Sequence, residues 1–189
     1  MKQNMKYCTM LAVVAFLAIA NPSFSQAAVA PAPAAAVNSW QAPFTQETLS
    51  PDDVQSFEAR AIEKVKDFYN YLNIISNPQY DLKLRQEAEK QAIDLFSGND
   101  CTVDKRAITK FLDSCRVLKA ALSWQVSNVT SKTELAKNGD SYTGMLTGSV
   151  TVGTSAVSAK SISIILARKQ KQFGGDMEMV WTVSLCNIE

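Results

Sequence analysis

The sequence predicts an α+β fold in which three helices are followed by a four-stranded antiparallel meander sheet. Two observations predict it. Apolar residues recur at intervals of three and four through residues 54–115, as in amphipathic helices, and they alternate from residue 122 onward, as in half-buried strands. Because helices and strands are segregated along the chain, the pattern indicates one α+β domain at residues 50–189.

The chain begins with the pattern of a secretory signal peptide, which we place at residues 1–27. Lys2 and Lys6 precede an apolar run from Cys8 to Ala20, and small residues suited to cleavage follow at 23–27. The run of about 13 residues is shorter than the roughly 20 that a membrane-spanning helix needs. We therefore expect cleavage, export to the periplasm or the medium, and no transmembrane segment in the mature protein.

Residues 28–49 predict a flexible lead between the signal and the domain. Their first part consists almost entirely of alanine and proline, a composition typical of linkers. Trp40 and Phe44 are the exceptions, and either docking on the domain or contact with a partner would explain them.

The first helix has the clearest signals in the chain. Ser50 is a favourable N-cap, Pro51 falls at the first helical position, and Asp53 stands where a capping box places its acidic residue. Apolar residues then form one continuous stripe to Ile75, and Asn77-Pro78 ends the helix. We expect this stripe to cover a sheet.

Two shorter helices and four strands complete the domain. The pattern predicts helices at about 82–96 and 104–119, and the spacing within the third directs Cys115 at the core. Alternating strands follow, and turn residues at 138–140 and 174–176 join them as hairpins.

The order of these elements resembles the NTF2-like superfamily with its cystatin-like cone. Residues 59–72 look like its long N-terminal helix, and residues 84–96 look like the second helix of small exported bacterial proteins of this kind. The resemblance covers residues 50–188 and implies that the helix lies in the concave face of a strongly bent sheet. This chain departs from the family in one respect. The family has a small hairpin between the second and third helices, whereas here only residues 99–104 lie between them, which is enough for one short strand.

Composition excludes several kinds of chemistry. The chain has no histidine, which removes Ser-His-Asp and Cys-His catalysis and histidine-containing zinc sites. No phosphate-binding or nucleophile-elbow motif is present, so we expect no cofactor, no metal and no assigned catalytic residue. Loss of Lys2 and Lys6 from 19 basic and 18 acidic side chains leaves a nearly neutral protein, which disfavours nucleic acid as a partner.

Three cysteines remain after signal cleavage, and an exported compartment permits a disulfide. The odd count allows one internal pair and leaves one thiol over. We consider Cys101 and Cys115 the candidate pair. Three buried thiols that pack as small apolar side chains are the alternative.

One apolar group is the candidate binding site. It either lines a pocket for an apolar ligand or is simply the packing beneath the first helix. Its members are Phe68, Leu72, Trp124, Tyr142, Met179 and Trp181. A basic patch at Arg168, Lys169 and Lys171, beside Lys160, either seats an acidic partner or is a solvated strand end.

Two functions fit these observations. The first is a non-catalytic exported module that holds a protein partner or an apolar ligand in the cell envelope, with a homodimer through the sheet as one form of partnership. The alternative is an isomerase-like or dehydratase-like enzyme, which needs an Asp/Tyr pair inside the cone. Whether the cone is open or filled separates them.

Overall fold

The computed structural model describes residues 47–189. The predicted signal peptide at 1–27 and all but the end of the lead at 28–49, including Trp40 and Phe44, lie outside this part. The described chain contains three helices and six strands: α1 Pro51–Ile75, α2 Leu82–Asp94, β1 Thr102–Val103, β2 Arg106–Ala107, α3 Ile108–Arg116, β3 Trp124–Asn138, β4 Ser141–Val152, β5 Ser158–Phe173 and β6 Asp176–Ile188. No helix within residues 47–189 is both long enough and apolar enough to cross a membrane.

The predicted four-stranded antiparallel sheet is wrong. The sheet has six strands in the order β2-β1-β6-β5-β4-β3, and it is mixed because β1 runs parallel to β6. Two of the strands also precede the third helix rather than follow it. β1 lies within residues 99–104, where the sequence allows one short strand, but β2 and the hairpin were not predicted because each strand is two residues long, too short to show an alternation.

The prediction for α1 is confirmed at both ends. The Ser50 hydroxyl accepts a hydrogen bond from the backbone N–H of Asp53, while the Asp53 carboxylate accepts one from the backbone N–H of Ser50. This reciprocal capping box satisfies two donors that a helix start would otherwise leave unpaired. The helix ends at Ile75, just before the Asn77-Pro78 pair.

The third helix is shorter than the predicted 104–119. Residues 102–107 form the β1–β2 hairpin, so α3 begins only at Ile108. Its apolar stripe is nevertheless as predicted, and all four members are buried, including Cys115.

The long strands are joined by tight turns at the predicted glycines. Gly139 connects β3 to β4 and Gly174 connects β5 to β6, each with a positive φ near 60° that glycine adopts without a Cβ clash. The two hairpins pair through β4 and β5, which gives the predicted meander as one part of the larger sheet.

A single core lies between the helices and the sheet. α1 packs against β3 and β6, and its buried stripe joins residues from α2, α3 and the inward positions of β4, β5 and β6 in one apolar cluster. Phe68 is at its centre, with its ring in contact with those of Tyr69, Phe96 and Phe111.

Candidate functional site

A cavity of about 230 Å³ lies where the second half of α1 meets the β1–β2 hairpin and the first residues of β3. Its walls are mostly apolar, and a few polar groups converge on it, which is the usual make-up of a small-molecule site. The apolar lining includes Phe68, Leu72, Phe111, Val150, Val152 and Ile188, and the polar lining includes Tyr69, Asp104, Trp124, Ser155, Ser158 and Lys160.

Tyr69 is the most deeply buried polar side chain of this cavity, with 3% of its surface exposed. It directly follows Phe68 in α1, so the same helical turn buries the phenylalanine ring and brings the phenol to the cavity. Burial, and after it the negative charge of Asp104, raise the pKa of Tyr69 well above its ordinary value. The phenol therefore keeps its proton and can donate a hydrogen bond.

Asp104 and Lys160 form an ion pair at the rim of the cavity. Asp104 lies in the β1–β2 turn with a φ of 49°, and its backbone N–H donates a 2.8 Å hydrogen bond to the carbonyl of Ile188. The strand pairing of β1 with β6 thus fixes a carboxylate beside a mainly apolar space. Lys160 is the third residue of β5, so the pair also links the β1–β2 turn to that strand.

Trp124 is positioned by Asn73, a residue that no sequence motif indicated. The Asn73 side chain donates to the backbone carbonyl of Trp124 at 2.8 Å and accepts from its N–H at 2.6 Å, as a neighbouring strand would. These bonds attach the first residue of β3 to α1. The Trp124 indole Nε1 is buried and has no hydrogen-bond acceptor among the described residues.

The structure divides the six predicted pocket residues between two sites. Phe68, Leu72 and Trp124 line the 230 Å³ cavity. Tyr142, Met179 and Trp181 instead line an open cleft of about 530 Å³ at the opposite end of β4, where the rings of Tyr142 and Trp181 meet edge to face with centroids 5.5 Å apart. Alternation in the strands predicted that the four strand residues face the helices, but it could not show how far apart along the sheet they lie.

The basic patch is also arranged differently from the prediction. Lys160 lies at the opposite end of β5 from Arg168, Lys169 and Lys171, and it pairs with Asp104. Lys64, from α1, lies near Lys169 and Lys171 instead of Lys160. The pKa of Lys64 is lowered, first by burial and then by repulsion from Lys171 and Lys169.

The cysteines lie in two places. The Sγ atoms of Cys101 and Cys186 are 2.9 Å apart, beside the end of β6, whereas Cys115 is buried on the core face of α3. Burial raises the pKa of the Cys115 thiol to about 11. No group of three or more residues suited to metal binding occurs within residues 47–189.

No protein-family model, no curated protein and no solved structure matches this chain. The NTF2-like resemblance therefore remains a prediction from the order of elements.

Proposed function

We propose that this protein is an exported, non-catalytic binding module that holds a small, mainly apolar ligand carrying one hydrogen-bonding group. The observation that carries the proposal is the 230 Å³ cavity, whose mainly apolar lining includes the phenol-bearing Tyr69. The phenol keeps its proton at neutral pH, so a ligand oxygen that accepts a hydrogen bond would complement it. The cavity is smaller than a typical drug-sized site, which favours compact ligands.

Two features support a preformed site. The Asn73 bonds hold Trp124 from the helix side, and the Asp104–Lys160 pair joins the hairpin to β5 at the rim. A site whose walls are fixed before binding loses less conformational entropy when the ligand enters. We expect the ligand to bind without a rearrangement of the backbone.

The experiment is a titration with straight-chain alcohols and small phenols, followed by tryptophan fluorescence and by NMR shifts of the residues that line the cavity. Val152→Phe would fill the cavity, and Val157→Phe makes the same change at a site that is 68% exposed. Saturable binding that is lost in V152F and kept in V157F supports the proposal. Absence of saturable binding, or binding that V152F leaves unchanged, would overturn it.

An isomerase-like enzyme is the second candidate, and one observation favours it. Tyr69 and Asp104 line the same cavity, and the carboxylate lies close enough to act on the pKa of the phenol. A carboxylate base beside a protonated phenol is the arrangement that proton transfer next to a carbonyl requires. Exchange of ketone α-protons in deuterated water that depends on Asp104, tested with Asp104→Asn, would favour the enzyme. If α-proton exchange is no faster than in buffer alone, the enzyme is excluded and the binding module remains the proposed function.

A further inference from the structure

We infer that Cys101 and Cys186 form a disulfide bond that joins the start of β1 to the end of β6. Their Sγ atoms are 2.9 Å apart, closer than two sulfur atoms that merely pack together. The two residues are 85 positions apart in the chain, so this proximity is produced by the fold and not by local sequence. The inference is independent of the proposed binding function.

Backbone and side-chain hydrogen bonds on both sides of the pair hold the two segments together. Before Cys101, the N–H of Ser97 donates to the carbonyl of Leu185 at 2.8 Å. After it, the N–H of Thr102 donates to the Asn187 side chain at 3.1 Å. Because the acceptors of these two bonds, Leu185 and Asn187, flank Cys186 in sequence, neither segment has to move far for the sulfur atoms to bond.

The fold disfavours a bond between Cys101 and Cys115. The carbonyl of Cys101 accepts a hydrogen bond from the N–H of Ile108, so Cys101 lies beside Ile108, the first residue of α3. Cys115 is seven residues further along that helix, a rise of about 10 Å. Bridged cysteines have Cα atoms within about 7 Å of each other. Cys115 is therefore the thiol that stays reduced.

The chemistry requires an oxidant, and a small-molecule or protein disulfide supplies it. The Cys186 thiolate attacks one sulfur of that disulfide, whose S–S bond breaks and releases one thiol. The Cys101 thiolate then attacks the Cys186 sulfur and releases the second thiol, so the two protons and two electrons lost by the cysteines appear in the two released thiols. Cys186 acts first because it is partly exposed, whereas Cys101 is fully buried.

Two neighbouring groups affect the rate at which this disulfide forms. The Ser97 hydroxyl lies 3.1 Å from the Cys101 sulfur and can donate to its thiolate. Burial, followed by the contact with Cys101, raises the pKa of Cys186 to about 11. A small thiolate fraction at neutral pH makes spontaneous oxidation slow and pH-dependent, with the rate rising as the pH approaches that value.

Peptide mapping tests the inference directly on the full chain. After equilibration with oxidised and reduced glutathione, alkylation and digestion with trypsin, each cysteine of the domain lies in a different peptide: residues 91–105, 111–116 and 172–189. We expect peptides 91–105 and 172–189 to be linked and Cys115 to be alkylated. A link between 91–105 and 111–116, or alkylation of all three cysteines under oxidising conditions, would overturn the inference.

Thermal unfolding gives a second measurement. The closed loop spans most of the domain, so reduction should lower the Tm by about 10 °C. Cys115→Ser is the matched control, because it should retain both the cross-link and its effect on the Tm. Cys186→Ser should make the Tm insensitive to reductant. A Tm that reductant does not change in the wild-type chain, or a C115S variant that loses the cross-link, would contradict the inference.

Discussion

Arg85 joins the C-terminal ends of two helices, and its replacement should destabilise the fold strongly. It projects from α2 and is 9% exposed. Its Nε donates to the carbonyl of Ile75, the last residue of α1, at 2.8 Å, and its Nη2 donates to the carbonyl of Arg116, the last residue of α3. Both carbonyls lack a partner within their own helices and lie at the negative end of a helix dipole.

We expect Arg85→Met to lower the free energy of unfolding by about 3 kcal/mol. Each hydrogen bond from a charged donor contributes roughly 1.5–3 kcal/mol, which gives about 3–6 kcal/mol for the two. The lower end applies because methionine fills the space of the arginine stem and avoids the cost of burying a charge. Arg85→Lys should lose about half as much, since its ammonium is a single point charge that cannot span both carbonyls.

Urea unfolding monitored by circular dichroism measures both variants. Lys83→Met on the exposed side of the same helix is the control, and it should change stability by less than about 0.5 kcal/mol. If R85M unfolds within that range of the wild-type protein, Arg85 does not hold the two helix ends together. An R85K variant as stable as the wild type would show that the two-pronged geometry is unnecessary.

Two further predictions concern a turn and a titrating thiol. Gly174→Ala should lower the free energy of unfolding by about 1 kcal/mol, because the φ of 62° at this position disfavours a Cβ. Gly175→Ala should be nearly neutral, because that position has open space and no positive φ. Equal effects of the two variants in urea unfolding would refute the assignment of the turn. The pKa of Cys115 is raised from 9.0 to about 11, so its contribution to stability is complete below pH 9 and is lost as the pH rises towards 11. The loss should reach about 1 kcal/mol by pH 10 in the wild-type protein and be absent in Cys115→Ala, and parallel pH profiles for the two proteins would contradict it.

Local signals determined how much of the fold could be predicted. The α1 boundaries followed from Ser50, Pro51 and the proline after Asn77, because caps and breakers act over a few residues. The hairpin turns at Gly139 and Gly174 followed from the same kind of evidence. The pairing of β1 with β6 did not, because no local pattern records a contact between residues some 85 positions apart.

The candidate site shows the same division. Phe68, Leu72 and Trp124 were predicted because apolar periodicity identifies residues that face the core. Asp104 was missed because it lies in a turn, where no periodicity exists. Its role depends on Lys160, which reaches it from another strand. The sequence therefore identified the apolar walls of the cavity and missed the charged pair at its rim.

The position of β6 also constrains how the chain can fold. β6 follows every other element in sequence, yet it lies inside the sheet, between β1 and β5. The helical half of the domain and the β3–β5 meander therefore share no sheet pairing until β6 has been synthesised and inserted between them. Contacts of such long sequence separation form slowly. We expect a nascent chain that lacks the 13 residues of β6 to remain open and unable to complete its core.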